Sequence, residues 1–133
     1  MLTRADNMKA LFFALLVAST AEAQQSYVIT DGKSLKDGLD IYLEFRAGTR
    51  RVTWEETMRA AEAATYTQAY AEACYAWQST APDKAPFRLP PERLNAEEFV
   101  KVVQKYLNDH SERLRDKAQI LLFDAIKSAF PRK

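Results

Sequence analysis

Side chains that commonly carry catalysis or bind metals are scarce in this sequence, which contains one histidine, His110, and one cysteine, Cys74. A metal site needs several histidine, cysteine or carboxylate ligands at helical or turn spacing. Nucleophilic catalysis needs a serine or cysteine beside a base, together with an oxyanion hole. His110 falls at the end of a predicted helix, where a partly charged imidazole complements the helix dipole. These residues therefore predict no catalytic, metal or cofactor site.

Motifs and net charge exclude further classes of function. The sequence contains neither a G-x-S-x-G motif nor a phosphate-binding glycine-rich loop. The adjacent carboxylates Glu55–Glu56 and Glu97–Glu98 fall in the first turns of predicted helices, where capping and the helix dipole explain them. The formal net charge is +1, which gives no electrostatic case for binding nucleic acid or an anionic membrane. We therefore expect a protein that is not an enzyme.

The first 23 residues have the layout of a secretory signal peptide. Ala10–Ala18 is an uncharged run of nine residues, and Ala21–Ala23 forms an A-x-A motif before Gln24. An apolar terminal helix or a membrane anchor is the alternative, although a membrane span needs roughly 20 apolar residues. We expect cleavage between Ala23 and Gln24, which leaves one domain of residues 24–133. Translation could start at Met1 or at Met8.

Hydrophobic periodicity predicts an all-α, compact four-helix domain after the signal peptide. The three glycines lie at or before Gly48, too few turn residues for an all-β domain of this length. The first two helices are predicted at Ser34–Ala47 and Trp54–Ser79. The third follows Asn95 and ends near Asn108–His110, and the fourth begins after a cap at Ser111 and stops at Pro131. The predicted caps are Ser34, Thr53, Asn95 and Ser111.

The apolar positions of these helices predict which faces are buried. In the first helix, Ile41 and Phe45 add to the apolar face, so its last two turns should be buried all round. In the third helix, the core-facing side chains should be Phe99, Val102, Val103 and Tyr106. In the fourth helix, the inner side should include Leu114, Ala118, Leu121, Leu122, Ala125, Ile126 and Ala129.

The second predicted helix is rich in alanine, with eight alanines between Ala60 and Ala76. Such a helix is either packed on every side in the core or half-buried in a homodimer. Cys74 lies within it and cannot form an internal disulfide. Its side chain is either a buried small apolar group or half of an intermolecular disulfide.

The segment Thr80–Leu94 is predicted to be a stiff, extended loop because it contains four prolines. Phe87 and Leu89 should contact the core, and Lys84, Arg88 and Arg93 should face water. A stiff loop with arginines and an aromatic residue is suited to binding a protein, because such a loop loses little conformational entropy on association. A solvated connector is the alternative. The candidate partner-binding residues, expected to be exposed or half-exposed, are Lys84, Phe87, Arg88, Glu92 and Arg93.

Three short motifs, at Leu89–Pro90, Val102–His110 and Ala129–Pro131, occur in an order and spacing that resemble the Rap/Tai family of type VI secretion immunity proteins. The likeness covers Phe87–Pro131 and is looser in the second helix. It implies an all-helical periplasmic protein, often dimeric, that binds a peptidoglycan-cleaving amidase effector and blocks its active site.

Arg88 and Arg132 stand where members of that family commonly have cysteines, just before the Leu-Pro and just after the Phe-Pro motif. Cys74 also does not fall at the family's second-helix cysteine, which would align near Ala63 or Ala64. The resemblance therefore implies a member without the disulfide. A periplasmic helical adaptor or stress protein without a toxin partner is the alternative function.

Overall fold

The computed structural model describes residues 28–133, and the predicted signal peptide with its cleavage site at Ala23 and Gln24 lies outside that range. The described chain forms four α-helices, α1 to α4, and one short 3-10 helix before α4. Two isolated bridges, between Asp31 and Lys117 and between Phe87 and Pro131, are its only β-type pairings within residues 28–133. The helices are α1 Gly32–Arg46, α2 Trp54–Thr80, α3 Ala96–Asp109 and α4 Ala118–Ala129. The predicted all-α fold is confirmed.

The first helix begins two residues earlier than its sequence pattern indicated, because Asp31 caps it in place of Ser34. The Asp31 carboxylate accepts a hydrogen bond from the Ser34 backbone N–H at 2.8 Å, and the Ser34 hydroxyl accepts one from the Asp31 N–H at 3.2 Å. The two residues thus form a reciprocal capping box. At the other end of α1, Gly48 follows the C-cap Ala47 with a φ of 69°, the left-handed conformation in which glycine commonly ends a helix.

The predicted caps of α2 and α3 are confirmed. Thr53 and Glu56 form a capping box at the start of α2. Asn95 and Glu98 form the same arrangement at the start of α3. Each pair satisfies two backbone N–H groups that would otherwise lack an intrahelical acceptor.

The prediction that Ser111 caps the fourth helix is wrong. Ser111–Arg113 is a separate 3-10 turn, and α4 starts only at Ala118, without a side-chain cap. A tertiary contact replaces the cap, since the Ala118 N–H donates to the Thr30 carbonyl at 3.2 Å. The chain before α1 therefore caps α4, which no local sequence signal indicates.

Two adjoining hydrophobic clusters form the core. The first joins all four helices around Leu35, Leu39, Val103 and Leu121, with Ala63 from α2. The second lies between α2, α3, α4 and the proline-rich segment after α2, and includes Phe87 and Phe99 among its fully buried side chains. Helices α1 and α2 approach closely at Gly38, where an added Cβ would lie 2.5 Å from the Ala63 Cβ.

Several predicted burial patterns are shifted in the structure. In α3, the buried side chains are Phe99, Val100, Val103 and Leu107, while Val102 and Tyr106 are half-buried. The last turns of α1 are not buried all round, because Phe45 is 56% exposed although Ile41 is buried. Ala129 at the end of α4 is exposed, and Leu114 is half-buried.

One face of α2 is open to solvent, so this helix is not packed on every side within the described chain. The exposed side chains recur along one stripe, which we call the outer face of α2: Trp54, Met58, Ala61, Thr65, Ala69, Ala73 and Ala76. Cys74 lies on the other side and is buried and unpaired. Among residues 28–133, no helix combines the length and the apolar character needed to cross a bilayer.

Candidate protein-binding surfaces

The proline-rich loop, residues 81–95, is held against α2 by polar contacts. The Gln78 side chain forms two hydrogen bonds with the Leu89 backbone, donating to its carbonyl at 3.2 Å and accepting from its N–H at 2.6 Å. The Tyr75 hydroxyl accepts from the Leu94 N–H at 3.2 Å and lies 3.4 Å from the Pro90 carbonyl. These contacts and the prolines give the loop one defined shape.

Phe87 was predicted both to contact the core and to be available to a partner, and the structure supports only the first role. Its side chain is 1% exposed and packs edge-on against the Trp77 ring at a centroid distance of 5.6 Å. The backbone beside it pairs with the chain end, since the Arg88 N–H donates to the Phe130 carbonyl at 2.9 Å. A partner therefore cannot reach Phe87 without opening the core, and its place among the exposed residues is wrong.

The other four predicted residues of the loop reach the surface, and three of them, Lys84, Arg88 and Glu92, are exposed without an ion pair among the described residues. Arg93 is exposed but engaged. Its guanidinium donates to the Glu72 carboxylate at 3.1 Å and lies 4.8 Å from the centre of the Tyr75 ring. The loop thus offers Lys84 and Arg88 as cations on a fixed backbone, which suits recognition of carboxylates.

The C-terminal residues close over the same loop. The Arg132 guanidinium donates to the Asp83 carbonyl and, at 3.4 Å, to the Ala85 carbonyl. Arg88 and Arg132 directly follow the two residues of the isolated bridge, Phe87 and Pro131. The two positions that the family resemblance singled out therefore lie near the same bridge although they are 44 positions apart in the chain.

A second surface, which sequence reasoning missed, lies where α1 ends and α2 begins. We call residues 44–58 the hairpin end. Three large apolar side chains are exposed there: Trp54 at 77%, Phe45 at 56% and Met58 at 37%. Trp54 and Met58 are one helical turn apart and so share one face of α2. One sequence signal could have indicated this exposure. Trp54 directly follows the cap Thr53 and so lies at the very start of α2, well before its first buried residue, Ala60.

Ion pairs hold the backbone of the hairpin end in place. The Arg50 guanidinium donates to the Glu44 carboxylate at 2.9 Å and also to that of Glu56, so it links the two helices. These two carboxylates raise the pKa of Arg50, with the hydrogen bond to Glu44 as the largest cause. The hydrogen bond from the Thr53 backbone is the main reason that the pKa of Glu56 is lowered. The exposed aromatic side chains therefore stand on a well-supported turn.

His110 has the structural role that its position predicted. It caps the C-terminal end of α3, its Nδ1 lies 2.9 Å from the Tyr106 carbonyl, and its ring stacks on Tyr106 at a centroid distance of 4.0 Å. Next to it, Arg113 donates to the Tyr106 hydroxyl at 2.7 Å and pairs with Asp116 at 2.9 Å and Asp124 at 3.0 Å. Because these groups bond to one another, the cluster stabilises the junction between α3 and α4.

The other candidate groups for chemistry are metal ligands and the Cys74 thiol. Among residues 28–133, no three histidine, cysteine, aspartate or glutamate side chains come together to hold a metal ion. Burial raises the pKa of the Cys74 thiol to about 11, so at neutral pH it is a protonated, poorly nucleophilic group.

Comparisons with models of known protein families, with curated proteins and with solved structures found no match for this chain. The function of this protein is therefore inferred from the geometry of these surfaces and from the sequence motifs.

Proposed function

We propose that this protein is a periplasmic immunity protein that binds a peptidoglycan amidase effector of type VI secretion and blocks its active site. The observation that carries the proposal is the set of motifs shared with the Rap/Tai family: Leu89–Pro90, Lys105–Leu107 and Phe130–Pro131. Two of the three meet in space, because the Arg88 N–H beside the first donates to the Phe130 carbonyl within the third. This hydrogen bond gives a structural reason for the two motifs to occur in one chain, and it thereby supports the resemblance.

The proline-rich loop is the element that we propose enters the amidase cleft. Its backbone is fixed by Gln78 and Tyr75, so association costs little loop entropy. Lys84 and Arg88 project from it into solvent, with Glu92 nearby in the chain. Charged side chains on a rigid edge can pair with polar groups that line an enzyme cleft, and the occupied cleft then excludes substrate.

A direct test mixes the domain of residues 24–133 with an amidase effector encoded beside its gene. We expect binding by isothermal titration calorimetry and loss of peptidoglycan hydrolysis at equimolar protein. The double variant Lys84→Ala/Arg88→Ala should weaken both, because it removes the exposed cations of the loop. Lys105→Ala is the matched control, since its side chain is also exposed, on α3, but pairs with Asp109. An amidase that is neither bound nor inhibited would leave the adaptor or stress-protein function as the better hypothesis.

The proposed location is tested separately in cells that produce the amidase in the periplasm. The full chain should protect these cells, and its mature form should begin at Gln24 by mass spectrometry. A chain starting at residue 24 without the first 23 residues is the control, and it should give no protection. Equal protection by both forms would exclude a periplasmic site of action.

We also propose that the outer face of α2 pairs two copies of the chain. The small side chains Ala61, Thr65, Ala69, Ala73 and Ala76 are exposed there, and small residues let two helices approach closely. Analytical ultracentrifugation should show a dimer that Ala69→Arg dissociates, because a long charged side chain would stand at the centre of the contact. The same substitution at Ile120, exposed on α4, should have no effect. A monomer at all concentrations would rule out this pairing.

A further inference from the structure

Arg132 brings a third cation to the proline-rich loop, beside the exposed side chains of Lys84 and Arg88. Its guanidinium donates to the Asp83 carbonyl and, at 3.4 Å, to the Ala85 carbonyl. These carbonyl groups belong to the residues on either side of Lys84, so Arg132 lies against the backbone that carries the Lys84 side chain. Both acceptors are uncharged, and the hydrogen bonds therefore hold the guanidinium in place without neutralising its charge.

Arg88 and Arg132 lie on the solvent side of the pairing between Phe87 and Pro131. Successive side chains of an extended segment alternate between its two faces. Phe87 is 1% exposed and faces the core, so the next residue, Arg88, faces solvent and is exposed. Arg132 follows Pro131, the bridge partner of Phe87, and is exposed as well. The two guanidinium groups are therefore both accessible to a partner at this edge of the loop.

We call the side chains of Lys84, Arg88 and Arg132 the cationic corner. Among residues 28–133, no carboxylate forms an ion pair with any of the three. Residues 82–88 and 130–132 contain these three cations and one acidic residue, Asp83, so their net charge is +2, whereas the whole chain carries +1. Positive charge is therefore enriched at this corner, which attracts an acidic partner.

The number and type of these charges favour the carboxylates of a protein over other anionic partners. Anionic lipid surfaces are usually recognised by clusters of about four to eight lysines or arginines, and nucleic acid by a strongly basic domain. The corner has three cations, in a chain with a net charge of +1. Two of the three are arginines, whose planar guanidinium matches the two oxygens of a carboxylate.

A second copy of the chain does not present a matching acidic cluster within its described residues. Most carboxylates of residues 28–133 are engaged in ion pairs, and those of Asp31 and Glu98 belong to capping boxes. Apart from Asp83 within the corner, the remaining carboxylates lie on three separate elements, α2, the loop and the 3-10 turn: Glu55, Glu62, Glu92 and Glu112. The partner that fits is therefore a different protein, with several carboxylates close together.

We infer that the cationic corner binds a cluster of carboxylates on the amidase, beside the cleft that the proline-rich loop enters. The inference rests on the proposed function, which supplies the partner. It adds Arg132 as a contact residue and states the chemistry of the opposing surface, an acidic rim. Through the Asp83 and Ala85 carbonyls, Arg132 also positions Lys84 for the same contact.

The test measures the affinity of residues 24–133 for the amidase by calorimetry at about 0.05 M and about 0.5 M sodium chloride, because salt screens exposed charges. The wild type should bind more weakly at the higher salt concentration. Arg132→Gln should raise the dissociation constant at least about five-fold at low salt and much less at high salt. Arg132→Glu should raise it at least about 20-fold at low salt, because like charges then face each other.

Three controls separate a charged contact from a structural role. Arg132→Lys should bind more tightly than Arg132→Gln and keep the salt dependence of the wild type, because the charge remains. Lys105→Gln removes the same charge from α3, where Lys105 pairs with Asp109, and should bind as the wild type does. Replacing the acidic residues beside the amidase cleft with amides should abolish the effect of Arg132→Gln. Circular dichroism should show equal folding of all variants.

The outcomes separate the two proposals. If the wild-type chain does not bind the amidase, both the immunity function and the cationic corner as its contact are overturned. If the wild type binds and Arg132→Gln binds equally well at low salt, only the corner is overturned. Arg132→Lys that binds as weakly as Arg132→Gln would show that Arg132 only holds the loop, and would also overturn the contact.

Other occupants of the corner have distinct signatures. Binding to phosphatidylglycerol vesicles that Arg132→Gln abolishes, with amidase binding unchanged, would assign the corner to a membrane and overturn the inference. Salt-sensitive self-association that the same substitution abolishes, again with amidase binding unchanged, would assign it to a second copy and overturn it too.

Discussion

Cys74 and His110 show how burial and hydrogen bonding decide what a reactive residue type does. The Cys74 thiol is buried within α2, and its pKa is raised to about 11 because burial disfavours the thiolate. His110 instead contacts the Tyr106 carbonyl at a helix end, where it can help to satisfy the last carbonyl groups. Both residues therefore have structural surroundings, Cys74 in the core and His110 at a helix end.

The Cys74 thiol should resist labelling in the folded protein. At pH about 8 a free thiol with an ordinary pKa near 8.5 reacts readily, but here burial blocks access and raises the pKa. We expect the reaction with Ellman's reagent to be at least about 100-fold slower in buffer than in denaturant, where the thiol is an unperturbed group. Equal rates in both conditions would show that Cys74 is at the surface and would favour the alternative in which it forms an intermolecular disulfide.

The Asp31 carboxylate should make stability depend on pH in the acid range. Its pKa is lowered from an ordinary value of 3.8, mainly by the hydrogen bond from the Ser34 backbone N–H. A lowered folded pKa means that its contribution is complete above the unfolded pKa and is lost as pH falls through the folded value. Urea unfolding at pH about 5 and below should therefore show a shallower loss of stability for Asp31→Asn, which keeps a capping oxygen without the titration. Identical pH profiles would contradict this role.

At the scale of elements, the proline-rich loop and α1 are positioned by contacts that are remote in sequence. The loop is joined to the C-terminal residues through the Phe87–Pro131 bridge, and α1 meets α2 at Gly38, where an added Cβ would lie 2.7 Å from the Arg59 carbonyl oxygen. The helix boundaries of α2 and α3 follow from their capping boxes, so sequence alone predicts them well. The position of the loop cannot be predicted from its sequence alone, because proline restricts the backbone of a segment without determining which elements it packs against.

Phe87 should matter for stability and Arg88 should not. Phe87→Ala removes a fully buried ring that packs on Trp77, and such truncations cost about 3–5 kcal/mol. Arg88→Ala changes an exposed side chain and should alter the free energy of unfolding by no more than about 0.5 kcal/mol. Urea denaturation of both variants measures the difference. A cost below about 1 kcal/mol for Phe87→Ala would mean that the loop is not part of the core.

Gly38→Ala should destabilise the protein even though alanine favours helices. On an isolated helix this change gains up to about 1 kcal/mol. Here the new methyl group would lie 2.5 Å from the Ala63 Cβ, and overpacking typically costs about 1–3 kcal/mol. Urea unfolding should show a net loss. A matched change at an exposed helical site, Ser128→Ala on α4, should be neutral or slightly stabilising, and a gain at position 38 would contradict the close approach of α1 and α2.

For the molecule as a whole, two hydrophobic clusters adjoin and should act as one folding unit. Tyr70 packs against both of them, and burial raises the pKa of its hydroxyl. Contacts near both ends of the described residues also hold the elements together, because Thr30 caps α4 and Arg132 bonds to the loop at Asp83. A domain of this size with shared core residues usually unfolds in one step.

Unfolding should therefore be a single cooperative transition. The Trp77 ring packs against Phe87 and Phe123 at the edge of the second cluster, and in a Trp54→Phe variant it becomes the sole tryptophan. Its fluorescence should change at the same urea concentration as the far-ultraviolet circular dichroism, which reports all four helices. Transitions separated by more than about 0.5 M urea would show that the two clusters unfold independently.

The sequence by itself determined the helical class, the caps Thr53 and Asn95, and the scarcity of catalytic groups, because periodicity and capping are local properties. Only the tertiary structure decided that Thr30 caps α4, that Phe87 is closed to a partner and that Trp54 is exposed. Each of these outcomes depends on a neighbour distant in sequence, or on the lack of one. A helical pattern shows which face is apolar, whereas the packing of the other helices decides which part of that face is covered.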